Sequence, residues 1–257
     1  MDLLTIKNPC QCDPGLTNPM TVTKPNGDVY KYTNKQHLKR TKRKKHMKKI
    51  NNIKKNLNII QVESELSNYN SKSVSTEEYI SYCSKKLEIN KILESSYENI
   101  KFRQYKWYNY ICRERAYGKM LNEFENVLGK DATLIIGDAS LGVNMRNIIS
   151  TPNVTIKRKL NTRFRVLSID EFRTSCINCY TYKRENTKLK YKGKDNKTRS
   201  LHSVLTYKME NNRLGCINRD NNAVKNMKYI YGYYIEYLRG NVDNPRPEIF
   251  CRKNKDL

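Results

Sequence analysis

Asn218-Arg219-Asp220-Asn221-Asn222-Ala223-Val224-Lys225-Asn226-Met227 is the stretch where a basic, irregular segment gives way to a helical apolar pattern. Ala223, Val224, Met227, Ile230, Tyr231, Tyr234, Ile235 and Leu238 recur at the spacing of one buried stripe, which predicts a helix from Asp220 to about Arg239. Asp220 stands at the mouth of that helix. An acid there either caps the helix, with Asn221 and Asn222 beside it, or projects into a site. Two other segments favour a site, because Asp13-Pro14-Gly15 and Asp170-Glu171-Phe172-Arg173-Thr174-Ser175 offer acids to meet Asp220 around one metal.

The chain has 257 residues, enough for one elaborated domain or two small ones. Lys and Arg number 50 against 25 Asp and Glu, a net charge of +25. Abundant Lys, Asn, Ile and Tyr suit an AT-rich coding sequence, but such drift does not explain acids outnumbered two to one. The expected partner is a polyanion, nucleic acid rather than a membrane surface. No apolar run approaches the ~18–20 residues needed to span a bilayer, and Met1-Asp2-Leu3-Leu4 lacks the basic start and long apolar core of a secretory signal. Eight cysteines are scattered along the chain, whereas the disulfide framework of a small secreted domain would be denser. Mostly free thiols in a reducing, intracellular compartment are expected.

Taken in order, Leu3–Ile6 reads as a short strand, with Pro9 interrupting any strand that would run into Asp13. Thr21–Lys24 and Val29–Thr33 flank Pro25-Asn26-Gly27-Asp28, a hairpin signal. Residues 35–55 are intensely basic. Lys42, Arg43, Lys44 and Lys45 are candidates for phosphate contact or nuclear import, against a solvated helix face or disordered arm. Ser75-Thr-Glu-Glu78 is a capping box opening a helix to about Leu93, and a second helix is predicted over 97–128. Its aromatics and bases, from Phe102 through Trp107 and Tyr110 to Tyr117, read as core with solvated charge in preference to a base-stacking face. Ala132–Ile136 is a buried strand running into a turn at Gly137-Asp138-Ala139-Ser140, and residues 141–161 are loop with one helix. Phe164–Ile169 is a strand delivering Asp170 and Glu171. A Lys-rich excursion to Ser200, a strand over Leu201–Tyr207 and an irregular tail beyond Gly240 complete the chain. Alternation of this kind predicts an α/β sheet with helices packed on it.

Asp13, Glu171 and Asp220 thus sit at strand ends and a helix mouth, positions from which acids far apart in sequence can converge. Two-metal phosphodiester cleavage needs such a set, because Mg²⁺ is a hard cation that prefers oxygen ligands. Asp138 is a spare candidate ligand. Arg173, beside Glu171, is a candidate contact for the scissile phosphate.

The ordered set Asp13-Pro-Gly-Leu-Thr-Asn-Pro19, Gly137-Asp-Ala-Ser140, Ile169-Asp-Glu-Phe-Arg-Thr-Ser-Cys176 and Asn218–Met227 resembles the successive nuclease motifs of the Fanzor proteins, relatives of the transposon-encoded TnpB nucleases. The resemblance spans roughly residues 8–240. It implies an RNase H-like (RuvC-type) mixed sheet flanked by helices, cutting DNA with two Mg²⁺ ions under the direction of a guide RNA. Asp13 falls on the first aspartate of the pattern and Asp220 on the last. TnpB carries its middle glutamate at the position of Gly137, whereas the Fanzor pattern places one at Glu171. Glycine at 137 with glutamate at 171 is therefore a specific match. The implied organisation is a RuvC-like domain in pieces (1–34, 131–175 and the final helix 217–240), a basic and helical insertion (35–130), a degenerate zinc-ribbon-like insertion (176–216) and an irregular tail (241–257).

Two departures accompany the match. The family's zinc ribbon has two Cys-x-x-Cys-like knuckles. Cys176 and Cys179 supply the first, but Thr206-Tyr207 stand where the second is expected. Zn²⁺ would need a makeshift set of Cys176, Cys179, Cys216 and His202, the alternative being free thiols in a collapsed loop. The family's N-terminal guide-binding region is not recognisable before Asp13, so it is expected on a separate RNA-binding polypeptide or lost. Two functions stay open: a Mg²⁺-dependent DNA endonuclease, or a catalytically weak remnant that holds DNA or RNA through its basic surface. Either would work in the nucleus or at a cytoplasmic viral replication site.

Overall fold

The computed structural model describes residues 3–15, 18–138 and 153–252. The turn at Ala139-Ser140 and most of the loop expected over 141–161 lie outside them. The chain opens with a 3-10 turn (Leu3–Thr5), then β1 (Pro9–Asp13), β2 (Met20–Thr23) and β3 (Val29–Tyr32). Helices α1 (Asn34–Thr41), α2 (Arg43–Asn56), α3 (Ile59–Ser64), α4 (Thr76–Tyr97) and α5 (Ile100–Leu128) follow. Next come β4 (Thr133–Gly137), α6 (Asn153–Leu160) and β5 (Arg165–Ile169). Strands β6 (Thr187–Lys192), β7 (Thr198–Lys208) and β8 (Leu214–Asn218) lead into α7 (Arg219–Leu238). The protein is mixed α/β and divides into two units, residues 1–34 with 119–257, and residues 35–118.

In the first unit a five-stranded sheet has the order β3-β2-β1-β4-β5. β1 is antiparallel to β2, β2 to β3, while β1, β4 and β5 are mutually parallel. The 2-residue side-chain period divides the sheet into two faces. Cys10, Cys12, Met20, Val22, Leu134 and Ile136 are buried on one; on it Tyr30 and Tyr32 meet Phe124 of α5 edge-on, with centroids 5.8 and 6.5 Å apart. The other face carries Gln11, Asp13, Thr21 and Gly137 and looks toward α7: a Cβ at Gly137 would lie 2.8 Å from Met227 Cε, and Lys31 Nζ donates to Asn218 Oδ1 at 2.7 Å. β4 is buried along its whole length, as a central parallel strand covered on both faces must be.

The start of the chain corrects the sequence reading. Leu3–Thr5 is a 3-10 turn, not a strand, and Pro9 begins β1 instead of breaking it. Proline is tolerated at the first position of a strand because its missing N–H leaves no ladder bond unmade inside. Asn8, with φ 47°, turns the chain in, and its carbonyl accepts Thr133 N–H at 3.2 Å. The hairpin forms as expected. Lys24 N–H donates to Asp28 O at 2.7 Å, and Gly27 takes the left-handed φ of 89° that the turn requires.

The excursion before α7 is also more ordered than its sequence suggested. β6, β7 and β8 form a separate three-stranded antiparallel sheet, not a collapsed loop. Most of it is exposed, and its small core is Cys179, Leu205 and Ile217 with Tyr207. Apolar alternation was absent because backbone pairing, not a buried face, defines most of this ribbon. The tail packs too. Phe250, in a 3-10 turn (Glu248–Phe250), is fully buried with Ile177 and Ile230.

In the second unit Ile59, Ile89 and Leu93 form the core, joined by Val62, Leu66 and Phe102. His46 of α2 is buried and its Nδ1 lies 2.6 Å from Asn109 Oδ1 of α5. The capping box at Ser75 is corrected in detail. Ser75 occupies the N-cap of α4 but its side chain caps nothing; the Ser73 hydroxyl bonds both Ser75 N–H and the Glu78 carboxylate. The core assignment of the α5 aromatics is corrected for three of them: Trp107, Tyr108 and Tyr110 are exposed.

Candidate nuclease site

The three parallel strands end together. Asp13 closes β1 and Gly137 closes β4 in register with Ile169, the last residue of β5. Outside the C-terminal ends of parallel strands is where an open α/β sheet offers a crevice for ligands. Glu171 arrives there two residues beyond β5, and Asp220 from the first turn of α7.

Asp220 is not the helix cap. Asn218 is: its Oδ1 accepts the backbone N–H of Asp220 at 3.1 Å and of Asn221 at 3.2 Å, so the carboxylate of Asp220 is left to the site. Asp220 Oδ2 accepts instead from Asn18 Nδ2 at 2.8 Å. Glu171 sits where a side chain at 137 would be. A Cβ on Gly137 would lie 2.5 Å from Glu171 Oε1 and 2.7 Å from its Cδ. The absence of that Cβ is what gives the carboxylate room beside the end of β4.

Asp13 is partly buried, and its carboxyl is held well above the usual carboxylate range. Desolvation is the main cause, followed by the charges of Glu171 and Asp220 and a hydrogen bond to Glu171; Arg219 opposes them. A hydrogen bond between two carboxyls needs a proton between them, so Asp13 and Glu171 share one. Nearby, Gln11 Nε2 and Thr21 Oγ1 are buried without partners among the described residues, and Thr21 lies opposite Asp13 in the β1–β2 register.

No three Asp, Glu, His or Cys side chains among the described residues are gathered closely enough to hold a metal ion. The acids are a touching pair with a third in electrostatic range. Their chemistry fits a hard divalent cation: all-oxygen donors, crowded like charge, a cradle at Gly137 and orphaned polar atoms beside them. The makeshift zinc set of Cys176, Cys179, Cys216 and His202 is not gathered into one ligand group among the described residues: Cys179 is buried, Cys176 and Cys216 are exposed, and His202 contacts Lys188 and Arg219.

The shared proton has a consequence for stability. Asp13 binds its proton more tightly folded than unfolded, so between the ordinary carboxylate range and its raised native value the folded state carries the excess proton. Metal-free stability therefore falls as pH rises through that window. Asp13→Asn is expected to remove this slope and raise the melting temperature in EDTA at pH 7.5 by roughly 2–4 °C, the equivalent of about 1 kcal/mol. Melting curves across pH 4–8 check it, and a wild-type curve that rises over that range in step with the variant would contradict it.

Sequence reasoning passed over the residues that hold the acids in place. Asn222 and Asn226 are fully buried on α7. Each donates its Nδ2 to the carbonyls of Thr174 and Ile177 at 2.7–2.9 Å, and Asn222 Oδ1 accepts Cys179 N–H at 3.0 Å. The pair clamps the loop after Glu171 onto the helix that carries Asp220. Two asparagines four apart inside an otherwise apolar stripe were the available signal. Arg246, from the tail, donates to Asp170 O at 3.0 Å and Phe172 O at 3.4 Å, the carbonyls on either side of Glu171. Only its place in a Pro-flanked segment marked it. Arg173, expected at the phosphate, donates to Ile249 O at 3.3 Å and lies over the Phe172 ring. Asp138 is exposed at the end of β4.

Lys42, Arg43, Lys44 and Lys45 belong to the second unit and are all exposed. Lys42, with φ 53°, is the N-cap of α2 and makes no side-chain cap bond; no acid lies in the first turn. Cations at a helix N-terminus oppose the helix dipole, a cost that a bound phosphate offsets. No helix among the described residues is long and apolar enough to cross a membrane.

No protein-family model matches the chain, and no curated protein does.

Proposed function

We propose that this chain is a Mg²⁺-dependent DNA endonuclease of RuvC type, built on an RNase H-like sheet and akin to the RNA-guided Fanzor and TnpB nucleases. The observation that carries this is the Glu171 carboxylate filling the Cβ space of Gly137 in hydrogen-bond contact with Asp13. A glutamate moved from the strand end to the loop, with glycine left behind, is what the motif pattern requires. The sheet order, with three parallel strands beside an antiparallel hairpin, supports the same fold. DNA is the substrate, and a guide RNA directs the cut.

When bound, magnesium supplies Lewis acidity at the phosphate and a nucleophilic water. Asp13, Glu171 and Asp220 furnish the anionic oxygens that hold it, and Asp13 gives up its shared proton on binding. Asn218 and Asn18 orient Asp220, while Arg246 and the Asn222/Asn226 clamp fix the loop bearing Glu171. Lys42–Lys45 hold the backbone of the nucleic acid.

A second reading, a nucleic-acid-binding protein without cleavage, is favoured by the Asn18–Asp220 bond and the incomplete closure of the three acids. Labelled single- and double-stranded DNA incubated with the full chain in Mg²⁺ or EDTA separates the two, with RNA transcribed from the protein's own locus in a parallel arm. Cutting in Mg²⁺ that disappears in Asp220→Ala is expected. Tight, salt-sensitive binding by both forms with no cutting in any arm would leave only the second reading.

A further inference from the structure

We propose that the exposed face of α5 is a stacking platform for the unpaired bases of a single-stranded nucleic acid. Trp107 and Tyr110, one helical turn apart, lie with ring centroids 5.4 Å apart and planes 19° from parallel. Both stay open to solvent, Trp107 at 59% and Tyr110 at 47% exposure. The Arg113 guanidinium continues the ladder, 5.7 Å from the Tyr110 ring centroid. All three belong to the second unit. The opposite side of α5 meets the unit's own structure, with Phe102 in the Ile59 core and Asn109 on His46. Trp107 and Tyr110 are therefore not the inner stripe of the helix.

Charge complementarity selects the occupant. Arg103, Lys106 and Arg113 are exposed among the aromatics, and no acidic residue occurs from Ile100 to Arg113. A partner protein with an apolar surface would have to desolvate these cations unpaired. A duplex presents phosphates to them but keeps its base faces stacked inside. A single strand supplies both phosphates and free base faces, and stacking on aromatics is tolerant of base identity. The platform deepens the nucleic-acid part of the proposed function and does not depend on cleavage.

Trp107 is the sole tryptophan of the chain, so its emission reports on this face alone. The full chain is titrated in EDTA with a 20-nucleotide mixed-sequence single strand, as DNA and as RNA, and with the blunt duplex of the same sequence. Single strands are expected to quench Trp107 strongly and the duplex weakly. Tyr110→Ala is expected to weaken single-strand binding about tenfold, with the slope of log K against log salt unchanged because no phosphate contact is lost. Tyr110→Phe, which keeps the ring, should bind as wild type and guards against a folding defect. Equal quenching by the duplex, wild-type affinity in Tyr110→Ala, or emission that changes with protein concentration alone, as a self-associating face would give, overturns the platform. Because no metal is present, a platform that fails here leaves the cleavage assay untouched, and a dead nuclease leaves this titration interpretable.

Discussion

Gly137→Ala is expected to lower Mg²⁺-dependent cleavage by roughly 10²-fold while nucleic-acid binding and the melting temperature stay near wild type. The added methyl would stand 2.5 Å from Glu171 Oε1 and 2.8 Å from Met227 Cε. Both are ends of flexible side chains, so the fold absorbs the methyl by moving them. The carboxylate is what moves, and a misplacement of about 1 Å at a reacting centre costs on the order of 10²-fold. Glu171→Gln should cost more, roughly 10³-fold or about 4 kcal/mol of barrier, since a charged ligand is replaced by a neutral one. The double change Gly137→Glu with Glu171→Ala delivers a carboxylate to the same place from the strand end and should recover part of the loss. Initial rates on a labelled substrate decide it. A Gly137→Ala protein that cuts at the wild-type rate would mean that Glu171 is not needed where the fold holds it.

The second large effect is on stability. Asn222→Ala is expected to destabilise the first unit by about 2–4 kcal/mol, because it strands the buried Cys179 N–H and removes two bonds to the loop carbonyls. A drop of roughly 5–10 °C in melting temperature follows for a unit of this size. Asn226→Ala should cost less, about 1 kcal/mol. Its Oδ1 has no partner among the described residues, and Asn222 still bonds both carbonyls. With both removed, the carbonyls of Thr174 and Ile177 lose these donors altogether, so the double variant should fall by more than the sum. Thermal melts of the three proteins measure this; additive losses, or an Asn222→Ala melt within a degree of wild type, would show that the clamp does not hold the loop.

What was legible in the sequence was what periodicity and turn chemistry encode. The α7 helix, the Asn26-Gly27 hairpin and the apolar strand ending at Gly137 each carry a local signal, and each formed, the helix burying its stripe from Ala223 to Ile230 and leaving Leu238 exposed. β1 was obscured because Pro9 reads as a breaker unless its place at the first strand position is known, which only pairing with β4 reveals. β7 was legible over Leu201–Tyr207, but β6 was obscured for a different reason: an exposed ribbon needs no apolar alternation, and a lysine-rich strand looks like linker. The carboxylates Asp13, Glu171 and Asp220 were visible as acids at element ends. Their supports were not: Asn18 and Arg246 act through bonds between distant parts of the chain that no spacing rule encodes, and Asn218, a local N-cap, was masked because Asp220 and the asparagines after it offered the same cap.

Mn²⁺ binding followed by electron paramagnetic resonance is the sharpest check on the proposed nuclease, since cleavage depends on these three carboxylates forming one divalent-cation site. Wild-type chain at pH 7.5 should bind Mn²⁺ saturably. Affinity should fall at pH 5.5, as Asp13 retains its proton, and should drop by roughly tenfold or more, at least ~1.4 kcal/mol, in each of Asp13→Asn, Glu171→Gln and Asp220→Ala. No saturable binding, or the same binding in all four proteins, would contradict it.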